Sequence, residues 1–96
     1  MIQIQKREGD LVAFDRTRIK SAIYKALKAT DRDSELLADI VAQDVVEQLP
    51  KDGVVSVEQI QDVVERCLML RGLTVTAKSY ILYRDAQQRK RRHQQA

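Results

Sequence analysis

Apolar residues change their spacing along this chain, and each change marks an element. At the start they alternate. Ile2, Ile4 and Lys6 fall on one face, with Gln3, Gln5 and Arg7 on the other. Residues 2–6 and 11–14 read as the strands of a hairpin joined by Arg7-Glu8-Gly9-Asp10, where Gly9 supplies the permissive backbone of a tight turn. From 16 to 29 the period becomes helical: Ile19, Ala22, Ile23, Ala26 and Leu27 form one stripe, opened by Asp15 as a cap. Arg16, Lys20, Lys25 and Lys28 fall mostly off that stripe and are expected in solvent.

Thr30-Asp31-Arg32-Asp33 breaks the pattern, and Asp33 or Ser34 can cap the next helix. Over 35–49 the stripe is Leu37, Ile40, Val41, Val45 and Leu49, widened by Leu36 and Val46. Pro50 and Asp52-Gly53 stop it. Val54-Val55 is a β-branched piece suited to a third strand, and Ser56-Val57-Glu58-Gln59 has the form of a capping box. A third helix shows Ile60, Val63, Val64, Cys67 and Leu68 and ends at Gly72. A last helix opens at Thr74 or Thr76, buries Ala77, Ile81 and Tyr80, and loses its stripe near Gln87-Gln88. The predicted class is α+β, mostly α. An N-terminal β-hairpin, or a small three-stranded sheet if Val54-Val55 joins it, caps a four-helix bundle.

Composition narrows this picture. Ninety-six residues with 44% hydrophobic side chains suffice for one domain, and 4% aromatics without Trp make its core aliphatic. Residues 1–88 are expected to form that domain, with 89–96 as a basic polar tail or linker that frays. Arg89, Lys90, Arg91 and Arg92 carry four positive charges, and removing them takes the formal charge from +3 to −1. The body is therefore near neutral, which argues against a nucleic-acid surface built into the fold. No apolar run has the length of a membrane span and no leader pattern opens the chain, so a cytoplasmic location is expected and no membrane partner. Cys67, in an apolar stripe, reads as a buried structural thiol. The single His93 is in the tail, so neither a zinc site nor a Ser–His–Asp or Cys–His arrangement can be assembled.

The remaining candidate chemistry is at the opening. Ile4 offers an apolar platform, Lys6 and Arg7 follow it, and a helix start carries Arg16 and Arg18. A helix N-terminus with cations beside it suits a phosphate. Taken by residue type alone, the same stretch reads more readily as an ordinary hairpin with solvated cations, the commoner arrangement. No Walker loop accompanies it, because Gly9, Gly53 and Gly72 are far apart. The acidic residues lie at caps and on polar helix faces and suggest no acid–base pair.

Taken together, these stretches resemble the ATP-cone, a small nucleotide-sensing domain. The chain has Ile4-Gln5-Lys6-Arg7-Glu8-Gly9, then Phe14-Asp15-Arg16-Thr17-Arg18-Ile19. It continues with Val57-Glu58-Gln59-Ile60-Gln61-Asp62-Val63-Val64-Glu65 and closes with Ala77, Tyr80-Ile81 and Tyr83-Arg84. The likeness covers roughly residues 2–86, in order and at compatible spacing. It implies a non-catalytic allosteric domain that binds ATP or dATP with Mg2+, the metal held through the nucleotide phosphates alone. Such domains typically stand at the N-terminus of ribonucleotide reductases, where ATP activates and dATP inhibits, often through oligomeric state. Implied partners are adenine nucleotides, a parent catalytic domain and further copies of the protein.

Carried over by position, the implied site comprises Ile4, Lys6, Arg7, Arg18, Ile19, Val57, Gln61 and Arg84. Ile19 would pack on adenine, Arg18 and Arg84 would meet phosphate, and Val57 and Gln61 would reach the base or the sugar–phosphate. Arg18 stands where many relatives have Lys, Val12 where some have an acid, and Gln61 where some have His. The second reading from another class is a repressor-type module that binds nucleic acid through the basic tail, with a salt-sensitive affinity.

Overall fold

The computed structural model describes residues 2–6 and 8–95, with 87–95 described by backbone alone. The elements are β1 (Ile2–Gln5), β2 (Leu11–Ala13), α1 (Arg16–Ala29), α2 (Glu35–Gln48), β3 (Gly53–Ser56), α3 (Val57–Leu70) and α4 (Thr74–Gln95). The α+β, mostly α reading holds, and Val54-Val55 does form the third strand. The sheet order is β2-β1-β3. β1 pairs antiparallel with β2 (Ile4 opposite Val12) and parallel with β3 (Ile4 opposite Val55, Gln5 opposite Ser56). Ile2 and Val55 are buried while Gln3, Gln5 and Val54 are exposed, so the two-residue alternation sends one sheet face toward the helices.

Local chemistry sets the helix ends. Asp15 Oδ1 accepts from the Thr17 amide at 3.0 Å, and Ser34 Oγ from Leu37 at 3.1 Å. At α3 both halves of the capping box form, with Gln59 N–H donating to Ser56 Oγ (3.1 Å) and Ser56 N–H donating to Gln59 Oε1 (2.8 Å). α3 closes on Gly72 (φ 74°), with the Leu73 amide bonded to Leu68 O and the Gly72 amide to Met69 O. α1 closes in the same way on Asp31 (φ 60°), a residue that accepts the left-handed region less readily than glycine.

α1 packs on α2 and α4, and α3 packs on the same two helices and on β3. Ile23, Leu27, Val41, Val45, Val64 and Leu68 are fully enclosed at the centre. The buried face of α2 is Ala38, Val41, Ala42 and Val45, one position round from the expected stripe, and Leu36 is 73% exposed. α2 is apolar on most sides, so periodicity alone does not choose its inner face. Its two alanines admit close neighbours, and packing selects them.

Two cations expected in solvent are instead paired. α1 and α2 run antiparallel, and this sets Arg16 against Asp39 (2.8 Å) and Lys20 against Glu35 (3.4 Å). The helical backbone of α4 continues to Gln95. The stretch from Asp85 onward holds no Gly or Pro, and extending an existing helix needs no new nucleus.

Thr76 is 1% exposed, and its hydroxyl meets that of Thr30 at 2.8 Å. Thr30 Oγ1 also lies 2.9 Å from Ala26 O. Thr30→Val takes this partner from a buried hydroxyl and is expected to cost roughly 1–3 kcal/mol. Thr76→Val leaves Thr30 bonded to its own helix and should cost less. Urea denaturation of the two variants tests the ranking, and equal losses would overturn it.

Candidate nucleotide site

Ile4 and Lys6 belong to β1 and its end, Arg18, Ile19, Val57 and Gln61 to the first turns of α1 and α3, and Arg84 to the middle of α4. Ile4 lies mid-strand, half-buried against the core between Val12 and Val55. Lys6 follows Gln5, whose partner Ser56 caps α3, so Lys6 and Val57 both extend from the same end of the parallel pair. The N-terminal turn of α3 carries a partial positive charge at that end. Gln61 comes one turn later, four residues from Val57 and hence on the same helix face. Arg7 lies outside the described residues.

α1 starts at the other end of β1. β2 runs antiparallel, so Ala13 pairs with Gln3 and α1 begins beyond that pair. A four-residue strand spans roughly 13 Å at about 3.3 Å per residue. A ligand that meets both Lys6 and Arg18 must therefore lie along β1 rather than at one end of it. Ile19 is half-buried against the core, while the Arg18 side chain is 81% exposed and its Nε is 3.9 Å from Asp15. Asp15 already occupies the α1 N-terminus as a carboxylate. Its pKa is lowered first by hydrogen bonds from the Thr17 hydroxyl and amide, with a smaller effect from the Arg18 charge. A phosphate would meet the Arg18 side chain more readily than the α1 amides.

Arg84 is partly enclosed, its side chain 21% exposed. Its Nη1 donates to Glu65 and lies 4.0 Å from Asp62, while its Nε is 3.8 Å from Asp85. Glu65 is four residues beyond Gln61 on α3. The carboxylates around Arg84 were not anticipated, because the Gln61-to-Glu65 spacing shows a shared face of α3 and not what packs against it. Tyr80 is buried nearby, and burial pushes its hydroxyl up to about 12.

A surface cavity of about 580 Å³ lies elsewhere, between the α2 and α3 flanks, lined by Arg32, Leu37, Asp44, Cys67, Arg71 and Leu73 among others. It contains none of the expected nucleotide residues. Its Arg71 is committed to Asp44 through two hydrogen bonds, of 2.5 and 3.1 Å. Cys67 is buried here as expected, and burial raises its thiol pKa.

The Arg71 hydrogen bonds also lower the Asp44 pKa. A depressed carboxylate stabilises the fold above its unfolded pKa, near 4, and that contribution disappears as pH falls through the folded value. Both side chains are partly exposed, at 45% and 29%, so solvent screening keeps the contribution within about 1 kcal/mol. Melting temperatures taken from about pH 6 down to pH 3 should fall less steeply in Asp44→Asn than in the parent. Parallel curves would refute this linkage.

Among the described residues, no group of three or more His, Cys, Asp or Glu side chains is placed to hold a metal ion, and no helix is long and apolar enough to cross a membrane.

The family model for the ATP cone domain matches residues 2–89. The chain belongs to the ATP-cone family. ATP-cone domains bind adenine nucleotides allosterically, and this one is a regulatory domain of that kind. It is 46% identical over 92 residues to the vitamin B12-dependent ribonucleoside-diphosphate reductase of Thermoplasma acidophilum, covering 86% of this chain and 12% of that protein. It is 37% identical over 102 residues to the ribonucleoside-diphosphate reductase subunit alpha of Chlamydia muridarum, covering 94% and 10%. With the anaerobic ribonucleoside-triphosphate reductase of Escherichia coli it shares 38% over 81 residues, covering 84% and 11%. This ATP-cone thus spans about a tenth of the length of these relatives.

Proposed function

We propose that this ATP-cone binds ATP and dATP, each with Mg2+, along the inward side of β1, and that it regulates a parent ribonucleotide reductase in the cytoplasm. The observation that carries the reading is the placement of Ile4. It is an apolar residue at mid-strand, followed at one end by Lys6 and the capped start of α3. Ile4 and Ile19 supply apolar surface for the adenine ring. Lys6, Arg7 and Arg18 supply charge for the phosphates, with Arg18 able to bond two phosphate oxygens. Val57 and Gln61 contact the base or ribose from α3, and Arg84 supplies a further cation from α4. Magnesium arrives on the nucleotide and is held by its phosphates. The domain binds without hydrolysing, and dATP acts on the parent enzyme by changing its oligomeric state.

Calorimetric titration of the 96-residue chain with Mg-ATP and Mg-dATP, with light scattering on the same samples, tests this. Micromolar binding at a defined stoichiometry is expected, with a change in mass confined to dATP. Absence of binding by either nucleotide would overturn the site. Binding without a mass change would remove the oligomeric mechanism for the isolated domain and leave the site intact.

A further inference from the structure

The Arg84 guanidinium is held between two helices by acidic partners, yet one of its donors is unused. Nη1 bonds Glu65 on α3, while the buried Nε has no hydrogen-bond partner among the described residues. Asp62 and Asp85 lie nearby at 4.0 and 3.8 Å, at ion-pair distance only. The Arg84 and Glu65 side chains are 21% and 19% exposed, so their pairing is screened less than one at the open surface. A buried donor without an acceptor is uncommon in a finished site and points to a second arrangement in which it is used. Glu65 stands one turn beyond Gln61 on α3, so the pair borders the nucleotide site.

We propose that Arg84–Glu65 is a latch between α3 and α4 that competes with nucleotide phosphate for the Arg84 guanidinium. This rests on the site proposed above. In the arrangement described Glu65 holds Arg84 and ties α4 to α3. A phosphate oxygen is a strong acceptor for the same planar donor group. When it takes Arg84, Glu65 is released and the α3–α4 contact loses its ion pair. Occupancy of the site is thereby transmitted to α4, the helix that leads toward the chain's C-terminal end. The differential contact is explicit: Nε is buried where it stands, so an acceptor reaches it only after the side chain turns, and that turn carries Nη1 away from Glu65.

The test is a double-mutant cycle on the 96-residue chain, with Mg-ATP affinity read by calorimetry and folding checked by thermal melts. Glu65→Gln keeps the side-chain shape and removes the competing charge. It is expected to tighten Mg-ATP binding by about three- to tenfold. Arg84→Ala is expected to weaken binding, and Glu65→Gln should have no further effect in that background. Unchanged or weaker binding in folded Glu65→Gln, with parent binding intact, would overturn the latch and leave the site standing. A gain of equal size in the Arg84→Ala background would also overturn it, since Glu65 would then act through its field on the ligand and not through Arg84. If Glu65→Gln fails to fold, Glu65→Asp, which retracts the carboxylate by one methylene, should still tighten binding, and no gain there overturns the latch. Absence of ATP binding by the parent chain would remove both the latch and the site.

Discussion

Lys6→Ala combined with Arg18→Ala is expected to weaken Mg-ATP binding at least about tenfold while the domain stays folded. Tenfold corresponds to about 1.4 kcal/mol. A hydrogen bond to a charged partner contributes roughly 1.5–3 kcal/mol, and the double variant removes two cations from the ligand's reach, so tenfold is a lower bound. Stability should survive for structural reasons. The turn bonds at Lys6 are backbone bonds, Lys6 N–H to Asp10 O and Gly9 N–H to Lys6 O, and alanine keeps both. Arg18 is 81% exposed and its contact with Asp15, at 3.9 Å, is at the limit of an ion pair. Calorimetry and a thermal melt on the same preparation separate the two effects. Unchanged affinity in a folded double variant would refute the assignment of these residues, even where the parent binds.

The largest effect on stability is expected at Leu27. It is fully enclosed near the C-terminal end of α1. Leu27→Ala removes apolar transfer energy and leaves a cavity that its neighbours fill only in part, at a cost of about 2–5 kcal/mol. A domain of this size has roughly 5–15 kcal/mol in total. For a loss of about 3 kcal/mol the melting temperature should fall by roughly 15–20 °C. The matched control is Leu82→Ala on α4, where the side chain is 69% exposed and the expected change is within about 0.5 kcal/mol. Similar losses at both positions would mean that the packing around α1 described here is wrong.

The two substitutions separate function from fold. The cations proposed to bind are peripheral to the packing, and the residues that hold the packing carry no charge. A regulatory domain arranged in this way can lose its ligand without losing its shape. The Arg84–Glu65 pair differs, because it belongs to the packing of α3 on α4 and also borders the site proposed for the nucleotide. This is why it is suited to transmit occupancy.

The elements themselves were legible in the sequence, because their signals are local. Alternation at Ile2 and Ile4, the caps at Asp15 and Ser56, the stops at Pro50 and Gly72 and the β-branched Val54-Val55 each act within a few residues. The family likeness was legible for the same reason, since it rests on short motifs in order. Three things were decided only by tertiary structure. The inner face of α2 turned on which side its neighbours approach, and Ala38 and Ala42 gave that side to them. The partners of Arg16, Lys20 and Arg84 came from other helices, and sequence distance carries no signal for such pairs. The register of β3 beside β1 set the start of α3 next to Lys6, through a parallel pairing between strands some fifty residues apart. Local geometry fixes where a helix begins, whereas the identity of its neighbour is fixed by burying all the apolar faces at once, which only the folded chain does.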